Sequence, residues 1–295
     1  MTSIAIPRFN SVQCISPIGL HQMGWAEWGD ADNPRALVCV HGLTRSGRDF
    51  DRFARVLAAD YRVICPDIVG RGRSSWLGQH PNAAAYYGVP QYVSDCVTLL
   101  ARINAPTVHW VGTSMGGLIG MALAALPDNP IERMVLNDVG AVLPLDALRR
   151  IGNYLGLPLR FATFDEGMAH IREVAAPFGP HSDDEWRDLA GNVLVQDDDG
   201  RWRLHYDPRI ADGFRALVPQ GDATELPLWH VYDAICCPTL IVRGADSDLL
   251  SAATCAEMAT RGPKARTVEI AGVGHAPTLM HADQIEAVRA FLLEG

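Results

Sequence analysis

Four short stretches carry residue types that could do chemistry together. Ser114 stands two residues after Gly112 and two before Gly116, His275 lies in Gly272-Val273-Gly274-His275-Ala276-Pro277, Asp246 and Asp248 follow Gly244, and His41-Gly42-Leu43 opens another loop. A serine hydroxyl is a weak nucleophile unless a base lies within hydrogen-bond reach, and that base needs an acceptor to fix its tautomer and stabilise its cation. Ser114, an acid near 248 and His275 supply that set, in the order Ser, Asp, His. The spacing at Ser114 predicts a tight strand-to-helix bend. Side chains at Gly112 and Gly116 would clash there, and the strained serine would present its hydroxyl beside the free amide of Met115 at the helix N-terminus.

The elements around these residues explain how they can meet. Ala36-Leu37-Val38-Cys39-Val40, Tyr61 to Cys65, Val108 to Val111, Arg133 to Val139, Thr239 to Gly244 and Thr267 to Ile270 read as strands, the most apolar of them as strands buried on both faces. Helical periodicity between them, about Asp49 to Ala59 with Asp49 as a plausible cap and about Pro90 to Ile103, predicts a mainly parallel sheet covered on both sides. In such a sheet ligands bind outside the carboxyl ends of the strands, and the four chemical stretches each follow a predicted strand. Ile15 to Trp28 reads as an edge hairpin ending in the turn Asp30 to Pro34. From Leu143 to about Leu228 no sheet strand is apparent. Helical stretches at Leu145 to Tyr154, Glu166 to Val174 and Asp184 to Val195 suggest a helical cap over residues 143–228, with the core formed by residues 1–142 and 229–295.

Composition narrows the function classes. The chain has 295 residues, 48% hydrophobic and 20% charged, enough to bury a large core. Its net charge of −9, with dispersed Lys and Arg, gives a nucleic-acid backbone no electrostatic footing. The seven cysteines are scattered without metal or disulfide spacing, which predicts reduced, mostly buried thiols and no metal site. Met1 to Arg8 lacks the basic and apolar segments of a signal peptide, so a cytoplasmic location is expected. Val108 to Leu126 is apolar with Gly116 and Gly120 at helix-packing spacing, yet the helical part from Met115 is shorter than the roughly 20 residues a bilayer requires.

These separated motifs, in this order from about His41 to the C-terminus, resemble the α/β-hydrolase fold: a mainly parallel, doubly wound sheet with a helical cap inserted after strand six. The resemblance implies that the Leu43 and Met115 amides form an oxyanion hole, that the triad is Ser114, Asp248 and His275, and that no cofactor is needed. It also implies a small-molecule ester or lactone substrate; a carbon-carbon bond hydrolase of the meta-cleavage type resembles the chain equally, a cofactor-free perhydrolase less, and a non-catalytic binding protein of the same fold usually lacks a triad member. Ser114 departs from the dehalogenases and epoxide hydrolases of the fold, which carry aspartate there. At the acid the family shows Gly-x-x-Asp, whereas Gly244-Ala245-Asp246-Ser247-Asp248 has serine at that place. Asp248 is favoured because Leu249-Leu250 resembles the apolar pair that follows the family's acid. Asp246 reads as a cap for the helix near Ser251, and Asp138, after strand six, is a third candidate or simply a loop aspartate ending a strand.

The remaining conspicuous residues admit plainer roles. His109 sits inside a buried strand and reads as a packed or hydrogen-bonded core residue. The other histidines show no metal-ligand spacing. Arg45, Arg71 and Arg73 follow strands and could clamp a substrate carboxylate, or pair with Asp67 and backbone carbonyls. Trp186, Trp202 and Trp229 could line an acyl pocket or anchor the cap on the sheet.

Overall fold

The computed structural model describes residues 6–78, 80–219 and 221–294, so most of the N-terminal segment read for a targeting signal lies outside the described residues. An eight-stranded sheet runs through the molecule: β1 (Arg8–Ser16), β2 (Gly19–Trp28), β3 (Arg35–Val40), β4 (Arg62–Pro66), β5 (Thr107–Thr113), β6 (Ile131–Asn137), β7 (Thr239–Gly244) and β8 (Arg266–Ile270). The order is β1-β2-β4-β3-β5-β6-β7-β8. The pairs from β4 to β8 are parallel, and β2 joins β4 antiparallel.

Continuous apolar sequence in β3 follows from its two buried faces. Ala36, Val38 and Val40 point into one core layer with Trp110, Met134 and Ile241, while Leu37 and Cys39 point into the other with Val63, Val111 and Val242. Helices α2 (Val89–Ile103) and α3 (Met115–Ala124) cover the first face. On the second face lie α1 (Asp51–Leu57) and α9 (Ala282–Leu293), through Phe53, Leu57, Val288 and Phe291. All seven cysteines are free thiols, five of them buried. Among the described residues no helix is long and apolar enough to cross a membrane.

The chain leaves the sheet after β6 and returns before β7. Val142–Pro144 and Glu225–Pro227 pair antiparallel, pinning the two ends of this excursion together. Between them lie α4 (Leu145–Tyr154), α5 (Phe164–Val174), α6 (Asp183–Gly191) and α7 (Ile210–Leu217). Ser182 and Glu185 form a reciprocal capping box that starts α6. Ile171, Trp186, Leu189 and Val193 build a separate small core there. Arg52 of α1 ties this segment to the helix layer through Glu185 at 3.0 Å and Asp188 at 2.7 Å.

Three local expectations differ from the structure. The edge hairpin turns at Pro17-Ile18 rather than starting at Ile15, because β1 is mostly exposed and lacks the apolar signature that marks a strand. Asp49 caps no helix; a 3₁₀ turn over Gly47–Phe50 leads into α1, and the Asp49 carboxylate is taken by Arg45. The helix α8 (Ala252–Met258) is capped by Ser251, whose hydroxyl accepts from the Thr254 amide, so Asp246 is not its cap.

Candidate active site

The bend at Ser114 is enforced by sterics. A Cβ on Gly112 would lie 2.3 Å from the Gly116 carbonyl carbon, and one on Gly116 would lie 2.0 Å from the Val40 oxygen. No side chain fits at either place. Ser114 takes φ 52°, ψ −113°, a sparsely populated conformation for a residue with a Cβ, and its amide is held by the Asn137 carbonyl at 2.9 Å. Asn137 also donates to the Thr113 hydroxyl and the Pro277 carbonyl, cross-linking the nucleophile strand to the loop that carries His275.

His275 Nε2 lies 2.9 Å from Ser114 Oγ, and its Nδ1 lies 2.7 Å from Asp138 Oδ2. Asp138, not Asp248, is the carboxylate on this imidazole. Asp138 is fully buried and follows β6 with φ 54°, a left-handed conformation that aspartate tolerates better than most residues. Three further bonds hold it: its amide donates to Val242, the Gly244 amide donates to Oδ1 at 2.8 Å, and the Ser247 hydroxyl donates to Oδ2 at 2.6 Å. Ser247, at the place where the family pattern has its acid, therefore serves as a donor to an acid supplied by another strand.

Asp248 points the other way. Its side chain is 51% exposed and pairs with Arg150 of α4 at 2.6 Å, while Leu249 and Leu250 turn inward into the core. The apolar pair that favoured Asp248 marks a loop that packs inward at 249–250, and residue 248 lies on its outer side. Asp246 is likewise exposed.

Across the cleft, the His41 loop is held from behind. The Ile68 amide donates to His41 Nε2, so Nδ1 carries the proton and donates to the Gly42 carbonyl at 2.7 Å. Carbonyl and amide of a trans peptide point in opposite directions, so this bond turns the Leu43 N–H away from His41. Arg71, fully buried, donates to the Leu43 and Val69 carbonyls and the Tyr92 hydroxyl, which makes it a scaffold of this loop rather than a clamp. Arg73 stacks on the Phe9 ring. Sequence reasoning missed Ser247, Asn137 and the scaffold role of Arg71; the serine standing in the acid's place was the one available signal.

Ser114, His275 and Leu43 border a cavity of about 160 Å³ that the residues of α4, α5 and α6 roof over, with Ile151, Tyr154, Ile171 and Leu189 among its walls. Trp186, Trp202 and Trp229 do not border it. Trp186 is buried in the small core of the excursion and Trp229 stacks with Tyr232 and Arg261. His109 is a core residue whose Nδ1 meets the Tyr61 hydroxyl at 2.9 Å.

Burial pushes the His41 imidazole down to about 3 and the His109 imidazole down to about 4, and it also lowers His181 and His205. The unfolded chain takes up protons below about 6.5 that the folded protein refuses, so acidification favours unfolding. Once the pH is well under 6.5, each strongly shifted histidine contributes up to about 1.4 kcal/mol per pH unit. We expect the thermal midpoint to fall between pH 7 and pH 5, the four lowered histidines outweighing the opposite contribution of Asp51 and Asp67, whose carboxyls burial raises; a flat or rising midpoint across that window contradicts the assignment.

A serine, an imidazole and a buried carboxylate joined by hydrogen bonds at the carboxyl ends of a parallel sheet, under a helical roof, define a hydrolase layout. The chain belongs to the α/β hydrolase family, whose sequence model matches residues 37–290, and it is an enzyme, a hydrolase. It is 54% identical to the 3-hydroxybutyrate-oligomer hydrolase of Cupriavidus necator over 97% of this chain and 98% of that protein. It is also similar to esterase YbfF of Escherichia coli, at 26% identity over 87% of this chain and 91% of that protein. An α/β hydrolase from Novosphingobium aromaticivorans has a similar structure, with a TM-score of 0.84, 34% identity, and coverage of 98% and 99% of the two chains.

Proposed function

We propose that this hydrolase is a serine esterase acting on esters of small hydroxy acids, of the 3-hydroxybutyrate oligomer kind. The observation that carries the reading is the continuous hydrogen-bonded path from Ser114 Oγ through His275 to Asp138, in a chain 54% identical to a hydrolase of such oligomers. His275 Nε2 takes the Ser114 proton as Oγ attacks the ester carbonyl, and the Leu43 and Met115 amides donate to the oxyanion. The tetrahedral intermediate collapses, the alkoxide leaves with the proton from His275, and an acyl-serine remains. A water molecule, deprotonated by the same His275, then releases the acid. Asp138 holds the tautomer with the proton on Nδ1 and stabilises the imidazolium in both halves. The helical segment over the cavity acts as a cap that excludes water as charge develops.

The test is a substrate panel: 3-hydroxybutyrate dimer and trimer, p-nitrophenyl butyrate, and a vinylogous dienoate of the meta-cleavage kind. Release of 3-hydroxybutyrate from dimer with kcat/KM at least tenfold above that for the dienoate is expected. Turnover of the dienoate alone would replace ester hydrolysis with carbon-carbon cleavage.

A further inference from the structure

We propose that Arg45 is a subsite for a substrate carboxylate, reading the free acid end of the hydroxy-acid ester whose carbonyl Ser114 attacks; the inference rests on the esterase reading above. Among the described residues, the Arg, Lys, Asp and Glu side chains that line the cavity are Arg45, Arg150 and Asp49. Arg45 pairs with Asp49 and Arg150 with Asp248, so the cavity offers guanidinium donors near Ser114 and no unpaired lining carboxylate to repel an anion.

Arg45 is the nearer of the two to the chemistry. A Cβ built on Gly42 would lie 3.8 Å from Arg45 Cγ and 3.9 Å from Ser114 Cβ, so the two side chains flank the same glycine of the oxyanion loop. The guanidinium is largely buried and already oriented: Nε and one Nη donate to Asp49 at 2.6 and 2.7 Å, and that same Nη donates to the Leu189 carbonyl of α6 at 2.8 Å. The other nitrogen, Nη1, makes no hydrogen bond among the described residues, and the side chain borders the cavity. A guanidinium held on two of its three nitrogens offers the third at low entropic cost. In an ester of a 3-hydroxy acid, the free carboxylate of the alcohol part lies only a few bonds from the scissile carbonyl, and Arg45 and Ser114 stand on either side of one glycine. Arg150 is more exposed and occupied by Asp248 at the rim.

The experiment compares 3-hydroxybutyrate dimer as the free acid with its methyl ester, each as a substrate and as a competitor of p-nitrophenyl butyrate hydrolysis. In Arg45→Gln the KM and Ki of the free acid should rise roughly 10- to 100-fold, the range of a lost charge-assisted hydrogen bond, with kcat much less affected. The change for the methyl ester should be smaller by that factor, Arg45→Lys should recover part of the discrimination, and Arg150→Gln should lose none of it. Equal losses on acid and methyl ester would reduce Arg45 to a support for α6, and an acid-specific loss in Arg150→Gln alone would move the subsite to the rim. A parent that binds the dimer through Arg45 without cleaving it would refute the proposed substrate and leave the subsite standing. Cleavage of the dimer unaltered by Arg45→Gln would do the reverse.

Discussion

Ser114→Ala removes turnover of an activated ester by on the order of 10⁶ and abolishes labelling by a fluorophosphonate, which adds to the parent protein once per chain. The size follows from the proposed role: in that reading the hydroxyl is the group on the His275 path that forms the acyl bond, and deleting a triad nucleophile leaves only binding and oxyanion stabilisation. Folding should survive. Ser114 is half-buried and borders the cavity, its φ of 52° costs the parent energy that alanine does not increase, and the Ser114 backbone amide keeps its bond to Asn137. Kinetics on p-nitrophenyl butyrate together with intact mass after labelling check both arms. Activity within about tenfold of the parent, or a fluorophosphonate adduct retained by the variant, would remove the serine mechanism.

The bend around Ser114 was legible because its cause is local: two glycines are required where strand and helix backbones approach within a carbon's width, and five consecutive residues record that. The sheet was legible in its centre, where burial on both faces leaves an unbroken apolar run such as Ala36 to Val40. At the edge it was not, since β1 buries only Cys14 and Ser16 of its nine residues and carries little period-2 signal. His275 could be found because the base follows the last strand in a glycine-bounded loop. The acid could not be singled out in the same way. Asp138 and Asp248 both follow strand ends, and what separates them is the direction each carboxylate takes: left-handed backbone at 138, with Ser247 and Gly244 donating to it, against an outward-facing side chain at 248. That choice is made by contacts between β6 and the loop after β7, residues more than a hundred apart in sequence, so it leaves no pattern in either stretch alone.

Asp138→Asn should therefore lower kcat by up to about 10⁴, whereas Asp248→Asn should stay within a few-fold of the parent. An amide at 138 keeps the shape of the carboxylate but turns a donor toward His275 or frees Nδ1 from its acceptor, so the tautomer with an unprotonated Nε2 facing Ser114 is no longer favoured. It also faces two donors at once, the Gly244 amide and the Ser247 hydroxyl, and can accept from them through one oxygen only. At 248 the amide merely weakens a half-exposed ion pair with Arg150, worth at most about 1 kcal/mol, and touches none of the reacting groups. A third variant separates loss of the carboxylate from loss of structure. Ser247 Oγ lies 2.6 Å from Asp138 Oδ2, so Asp138→Asn combined with Ser247→Asp returns a carboxylate to the same corner from the loop after β7 and should regain at least tenfold of the lost kcat. Rates for the three variants on one activated ester, with folding verified by circular dichroism, decide the assignment: a severe loss in Asp248→Asn with near-parent activity in Asp138→Asn would return the acid to the loop after β7.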